Sequence, residues 1–445
     1  MNVFLRVAIS SCLAAVALGL GAATPVPTRP NVLVIISDDQ GWQDYGFMGH
    51  PHVATPALDR LAAESLTFQR GYSPVPLCRP SLTSIATGLY PHQHGVTGND
   101  PALPDAGVNP QTGRQNPKYA RYYDTIIANF RSRPNFVRDL TTRGYRSFET
   151  GKWWEGDPVQ SAGFSEAMTV GTAKGDRHGG LGLEIGRQGL APITQFIERT
   201  GPQPWLVWYA PMLPHSPHNA PADLVAKYLK VAPSEPVARY WASVEWFDRT
   251  CGELLAYLDR HDLRKNTIVL YTTDNGWIQH PEKPNVFAPR SKLTPYEGGH
   301  RTPIMISWPG HVTPRLDREH LAGNTDLWPT LAGLLGTPLP TDLPGVNLTD
   351  PASVVRRTAL FGEQYAHNIA DVDAPTRSLE HRWVIDGWFK LIVPNPPNRP
   401  HGKPELYDLQ SDPTEKTDLA AQQPDRVAGM TRQLDAWWTP GTATP

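Results

Sequence analysis

Cysteine is scarce, with three residues in a chain of 445. Cys12 lies in an apolar stretch near the N-terminus, which leaves Cys78 and Cys251 beyond it. A disulfide-stapled scaffold is thereby excluded; a Cys78–Cys251 pair stays open, but no spacing pattern supports it. Neither C-x-x-C nor H-x-x-x-H occurs, so nothing argues for zinc. Charge is also sparse: Asp, Glu, Lys and Arg make up 19% of the chain and the formal net charge is -2. No global field attracts nucleic acid, so an anionic ligand has to be recognised locally. Internal repeats are absent, and no apolar run reaches the ~20 residues that span a bilayer. The longest, Val7–Leu20, follows Arg6 and precedes Gly21-Ala22-Ala23. That order reads as a cleaved export signal over 1–23, placing the protein in the periplasm or outside the cell with no stable membrane insertion.

What is present is a repeated strand, polar turn and helix. Asn31–Ser37, Tyr145–Thr150, Trp205–Ala210, Thr267–Thr272 and Pro303–Trp308 are apolar runs that read as buried strands. Pro56–Phe68 and roughly Val237–Leu258 carry helical spacing, and Cys251 falls on the apolar stripe of the second. This alternation predicts an α/β domain with a mainly parallel sheet over 30–350. From Thr358 the pattern changes to a hairpin (Trp383–Asp386, Phe389–Val393), a short strand (Leu406–Leu409) and a closing helix (Asp425–Trp437). These predict a smaller C-terminal α+β domain over 358–440. With 46 prolines, long stiff loops are expected. Gly98–Arg133 reads as a surface excursion, and Lys174–Gly189, with Asp176, Arg177 and His178, as a flexible loop.

Polar residues stand at the carboxyl ends of the strands, where open α/β sheets bind ligands. They are Asp38 and Asp39, Lys152, His215, and Asp274 with Asn275. Either acidic turn alone is an ordinary loop. Together Asp38, Asp39, Asp274 and Asn275 are a set of hard oxygen ligands suited to Ca²⁺ or Mg²⁺. Cys78 precedes Pro80 and an apolar helix pattern, which places it at a helix N-terminus where an anion is favoured.

The segment Cys78-Arg79-Pro80-Ser81-Leu82 resembles the signature of the type I sulfatases, C-x-P-S-R, whose cysteine is oxidised to formylglycine. Five further segments are similar to the family's motifs and occur in its order: Ser37-Asp38-Asp39-Gln40-Gly41, Gly151-Lys152-Trp153-Trp154, Thr273-Asp274-Asn275-Gly276, Lys292 with Tyr296-Glu297-Gly298-Gly299-His300-Arg301, and Leu406-Tyr407-Asp408-Leu409 with Asp412-Pro413. Pro214-His215 lies where the family carries a histidine after its middle strand. The resemblance implies an alkaline-phosphatase-like fold, three layers with helices on both faces of the sheet. It implies an exported sulfuric ester hydrolase acting on a small-molecule or carbohydrate sulfate ester, matured by the formylglycine-generating enzyme. Residue 78, as formylglycine, would be nucleophile and metal ligand beside Asp38, Asp39, Asp274 and Asn275, with Ca²⁺ (Mg²⁺ as the other candidate) as the metal. Lys152 and Lys292 would hold the sulfate oxygens, and His215 with Lys292 would protonate the departing oxygen.

Two positions depart from the pattern. Leu82 stands where the family has arginine, and Trp154 where it has a histidine. His92 and His94 are candidates to supply the missing imidazole. The same fold leaves room for a phosphodiester or phosphonate ester hydrolase, and the two departures for a binding protein with a decayed site.

Overall fold

The computed structural model describes residues 29–102, 115–170, 181–340 and 343–441. The segment 1–23 with Cys12, the middle of the 98–133 excursion, and Asp176, Arg177 and His178 lie outside the described residues. No helix among those described is long and apolar enough to cross a membrane.

Among the described residues fourteen strands follow one another: β1 (Asn31–Ser37), β2 (Leu66–Tyr72), β3 (Asp100–Pro101), β4 (Arg146–Gly151), β5 (Glu166–Ala167), β6 (Trp205–Ala210), β7 (Thr267–Thr273), β8 (Arg301–Ser307), β9 (Arg315–Gly323), β10 (Ala359–Tyr365), β11 (Asn368–Ile369), β12 (Leu379–Asp386), β13 (Phe389–Pro394) and β14 (Glu405–Asp408). Eight of them form one sheet in the order β5-β4-β6-β1-β7-β8-β2-β9. Only β8 runs against the others, pairing antiparallel with both β7 and β2.

Every residue of β1 is buried, because helices cover both faces. Val32, Val34 and Ile36 enter one apolar cluster with helices Cys78–Thr87, Pro117–Arg131 and Leu327–Leu335. Leu33 and Ile35 enter the other, with helices Pro56–Ala63, Ala191–Thr200 and Glu235–Arg260. The period-two alternation of a strand thus divides one run between two cores. Cys78 lies in the first cluster and Cys251 in the second. Both thiols are free and stand on opposite faces of the sheet, so the Cys78–Cys251 pair is ruled out.

The first predicted helix stops at Ala63 rather than Phe68. Leu66-Thr67-Phe68 is drawn into β2 by pairing with β8 on one side and β9 on the other. The C-terminal part is an antiparallel sheet, β10-β12-β13-β14, with helix Pro424–Trp437 packed on it through Met430 and Leu434. The β12–β13 hairpin turns at Gly387, φ +57, next to the Asp386–Phe389 pair. This sheet touches the chain just ahead of Cys78: Val75 and Leu77 pack with Tyr365, Leu379 and Trp438.

Candidate active site

Four loops at one edge of the large sheet supply the site. β1 ends at Ser37, and the backbone N–H of Asp38 donates to Leu213 O at 3.0 Å, aligning it with the loop after β6. Asp39 adopts φ +58, which turns the chain sharply after the pair of aspartates. β7 lies beside β1, and Asp274 N–H donates to Ser37 O at 3.0 Å, so both acidic turns emerge together. Their side chains interlock: Asp39 N–H donates to Asp274 Oδ1 (3.1 Å) and Asn275 Nδ2 to Asp39 Oδ1 (2.6 Å). Lys152 follows Gly151, whose φ is +98 and whose added Cβ would stand 2.0 Å from Ala210 O, so only glycine fits there.

Cys78 is the first residue of its helix, as its spacing from Pro80 predicts. Ser81, one turn on, donates to Asp274 O at 2.5 Å and lies 2.9 Å from Ser73 Oγ, which pins this helix to the end of β7. Leu293 N–H donates to Pro76 O at 2.9 Å, bringing the loop that carries Lys292 against the entry to the same helix.

The predicted residues converge. Lys152 Nζ lies 2.6 Å from Asp38 Oδ1 and 3.3 Å from Asp274 Oδ2. Lys292 Nζ donates to Asp39 at 2.6 and 2.8 Å and lies 2.9 Å from Cys78 Sγ. Ligand atoms of Asp38, Asp39, Cys78 and Asp274 all stand within 4.8 Å of one another, and Asp38, Cys78 and His215 form an overlapping group. His215 Nε2 is 3.4 Å from Asp39 Oδ2, while its Nδ1 is 2.7 Å from Ser216 O, which assigns the Nδ1 proton to that carbonyl. The His215 side chain is 22% exposed, against 2% for Lys152 and 8% for Lys292, so the cluster opens to solvent on the histidine side.

Electrostatics match that geometry. Burial pushes the Cys78 thiol up to about 12 although Lys152 and Lys292 oppose it. Burial also lifts Asp274 to about 7, helped by Asp38. Burial works against the Asp39 carboxylate too, but Lys292, His215 and Lys152 outweigh it and hold Asp39 at about 2. Three carboxylates face two ammonium groups, so the fully ionised cluster is one positive charge short before His215 is counted. Two buried oxygens, Asp38 Oδ2 and Asn275 Oδ1, have no hydrogen-bond partner among the described residues. Buried oxygens are ordinarily satisfied. Unpaired ones in an oxygen-rich, net-anionic ring fit a hard divalent cation held by Asp38, Asp39, Asp274 and Asn275.

The two departures from the motif pattern are resolved differently from expectation. His92 and His94 do not reach the cluster. His94 Nε2 is 3.0 Å from Ser84 Oγ, nearly two helical turns beyond Cys78. His92 pairs with Glu363 of β10 and stacks on Trp438 at 4.3 Å. Both are tied up in packing the far end of this helix and the C-terminal sheet, so neither replaces the family histidine. Leu82 and Trp154 instead join the same apolar core cluster, and Lys152 Nζ sits 5.9 Å from the centre of the Trp154 ring.

Sequence reasoning passed over Arg79. It is fully buried, and its Nε and Nη2 grip Glu155 at 2.7 and 2.8 Å, while Nη1 donates to Asn99 O at 3.1 Å. Its guanidinium lies 4.8 Å from the centre of the Tyr123 ring. Glu155 directly follows Trp154, so this pair joins the two motifs that depart from the pattern. The signal in the sequence was an arginine inside the signature and a glutamate beside the second motif, at helix and strand ends expected to meet.

Comparison with known proteins bears on the same residues. The pattern of the family described as sulfatase matches residues 30–337, and that of "N-sulphoglucosamine sulphohydrolase, C-terminal" matches 291–436. N-acetylgalactosamine-6-sulfatase of Homo sapiens is 28% identical over 74% of this chain and 67% of its own length. Arylsulfatase A of Homo sapiens is 27% identical over 95% of this chain and 88% of its own. Among solved structures, a sulfatase from a Pseudoalteromonas species superposes with TM-score 0.66 at 20% identity, covering 92% of this chain and 89% of that one. A phosphonate monoester hydrolase of Agrobacterium radiobacter superposes with TM-score 0.64 at 18% identity, covering 92% and 95%. The structural likenesses show a shared fold; the match over more than half the chain shows the family. The chain belongs to the sulfatase family of the alkaline-phosphatase-like superfamily and is a sulfuric ester hydrolase.

Proposed function

We propose that this protein is an exported hydrolase of carbohydrate sulfate esters that works with formylglycine at position 78 and Ca²⁺ in the adjoining carboxylate ring. The observation that carries this reading is the placement of Cys78 Sγ 2.9 Å from Lys292 Nζ, inside the Asp38–Asp39–Asp274 group. Burial raises the Cys78 thiol to about 12, so the unmodified cysteine is a poor nucleophile at neutral pH. Formylglycine hydrate supplies an oxygen nucleophile with a second hydroxyl for releasing sulfate, and a divalent cation supplies Lewis-acid neutralisation of the reacting oxygens.

The chain's own residues do the rest. Lys152 and Lys292 present two ammonium groups to the sulfuryl oxygens as charge shifts onto them. His215 stands at the open side, where the alcohol departs. As the S–O bond breaks, its electron pair stays on the alcohol oxygen, which takes the proton from His215 Nε2. Burial holds the His215 imidazole down at about 4, with Lys152 and Lys292 acting in the same direction; Asp39, held ionised and facing Nε2, opposes this in part, and the negative charge of a bound sulfate ester opposes it further. Trp154 and Leu82 lie in the apolar cluster that also takes in Cys78, with the centre of the Trp154 ring 5.9 Å from Lys152 Nζ.

A sugar as the substrate body is supported by relatives. One solved structure with TM-score 0.67 is a complex with its substrate D-glucosamine-2-N,6-O-disulfate. Another curated relative, from Bacteroides thetaiotaomicron, is an N-acetylgalactosamine-6-O-sulfatase, 25% identical over 92% of this chain. Export is supported by Arg6 and the apolar Val7–Leu20 run.

Two measurements test the reading. The peptide spanning residue 78, from a host with the maturation enzyme, should weigh less than its cysteine form by the exchange of sulfur and two hydrogens for one oxygen. The same preparation should hydrolyse sulfated N-acetylhexosamines. An unmodified cysteine with phosphodiester but no sulfate ester hydrolysis would replace the reading by a phosphodiesterase; inactivity toward both would make the protein a binding protein.

A further inference from the structure

His215 rides on a loop that is poor in donors of its own. Pro211, Pro214, Pro217 and Pro221 remove N–H donors from the stretch between β6 and the helix Ala222–Tyr228. Its carbonyls therefore need donors from elsewhere. Within the loop Leu213 N–H donates to Pro211 O and Asn219 N–H to Pro217 O, and one side chain from outside adds several more donors. The guanidinium of Arg187 donates to Met212 O (2.5 Å), His215 O (3.1 Å) and Pro217 O (3.4 Å), and its Nε to Asn219 Oδ1 (3.4 Å).

Arg187 is itself fixed at its base. It follows Gly186, which has φ +80 and lies so close to β6 that an added Cβ would stand 2.8 Å from Tyr209 Oη. Its guanidinium lies 5.7 Å from the centre of the Trp246 ring on the long helix Glu235–Arg260. All four acceptors are neutral and belong to one loop, and the half-buried guanidinium is not spent on a carboxylate. Burial lowers it to about 10, with Asp38 and Tyr209 opposing only in part. An arginine kept half out of water with no carboxylate bonded to it among the described residues, its fork spread over three carbonyls, is built to shape that loop.

We propose that Arg187 is the positioning residue for the leaving-group acid: its grip on the carbonyls of Met212, His215 and Pro217 sets where the His215 imidazole stands relative to the departing oxygen. This rests on the reading of His215 as the proton donor. Proton donation matters most when the leaving alcohol is weakly acidic, so a displaced imidazole penalises poor leaving groups selectively. A residue that merely stabilised the fold would lower turnover of all substrates alike.

The test is a series of aryl sulfates, from the acidic para-nitrophenol to unsubstituted phenol of pKa about 10. It is run on the mature, metal-loaded wild type, R187A, R187K, H215A and the R187A/H215A double variant, with melting temperatures alongside. R187A should lose about 10- to 100-fold in kcat/KM on phenyl sulfate, in line with displacement of a catalytic group by about 1 Å, and only a few-fold on para-nitrophenyl sulfate. R187K, which keeps the charge and the stem but not the fork, should fall between and guards against a folding defect in R187A. The double variant should be no slower than H215A, because the arginine acts through the histidine. Equal loss on every leaving group, or a double variant slower than H215A by the full R187A factor, would overturn the proposal. If H215A itself showed no steeper leaving-group dependence than wild type, the role given to His215 would fail instead. Arg187 would then be reassigned to loop stability.

Discussion

Two kinds of buried charge cluster stand side by side in this molecule. Around Asp326 every polar atom is matched: the carboxylate accepts from Gly323 N–H (2.7 Å), Val346 N–H (2.8 Å) and both arms of Arg357. The Arg79–Glu155 pair is similarly bidentate, with Asn99 O taking a third donor. Around Asp38, Asp39 and Asp274 the matching is incomplete: carboxylates outnumber ammonium groups and two oxygens lack partners among the described residues. Saturated clusters hold the chain in place; the unsaturated one has capacity left for a cation and a substrate oxyanion. Each unpaired buried group costs stability, so the unsaturated cluster is sustained by interactions made elsewhere in the fold.

The comparison can be broken most severely at the saturated pairs. E155A, which strands the buried Arg79 guanidinium, should destabilise the protein by about 3–5 kcal/mol, read as the shift of a urea unfolding midpoint with unchanged slope. A midpoint equal to wild type would mean that the pair holds nothing. K152A or K292A attacks the other cluster and should lower kcat about 10²- to 10³-fold. An alanine variant with normal turnover of a sulfate ester would remove that lysine from the mechanism.

Cation loading sharpens the contrast without any mutation. Ca²⁺ at 100 times its dissociation constant should raise the unfolding free energy by about 2.7 kcal/mol over the chelated protein, seen as a calorimetric shift. The shift should shrink in N275A, which deletes one of the two orphaned oxygens. An equal shift in both proteins would place the cation elsewhere.

The smallest effect concerns a buried carboxyl outside both clusters. Burial raises Glu149 on β4 to about 8, although Thr169 donates to it. Its folded value lies above the unfolded one near 4.5, so the protonated form favours folding at low pH and that contribution is lost as pH rises through about 8. E149Q, which cannot ionise, should therefore gain on wild type by roughly 1.4 kcal/mol or more between pH 5 and pH 8, the equivalent of a tenfold or greater difference in proton affinity between the folded and unfolded chain. A pH-independent difference between the two would show that Glu149 does not titrate in this range.

Strands β1, β6 and β7 were legible from sequence because they are covered on both faces and read as unbroken apolar runs. β2 and β9 were not. β9 carries Arg315, Asp317, Arg318, Glu319 and His320 at the sheet edge, where one side of the strand meets water. β2 was absorbed into the preceding helix pattern, since Leu66 and Phe68 extend its apolar spacing; only pairing with β8 and β9 separates them. The reversed direction of β8 was equally hidden, because a strand's own residues do not record which way its neighbour runs.

At the site, the residue types and their positions at strand ends were set locally: carboxylates, amide, lysines, histidine and the cysteine at a helix start. Strand ends meet at one edge of a parallel sheet by topology, so their convergence was readable as soon as the alternation was. Tertiary structure alone decided what each group has left to give. It consumed His92 and His94 in packing, closed Arg79 onto Glu155, left Asp38 Oδ2 and Asn275 Oδ1 unpaired among the described residues, and laid Arg187 across the loop of His215. The reason is physical: a donor or acceptor is open to chemistry only after the rest of the fold has taken its share, and that remainder depends on contacts far apart in the chain.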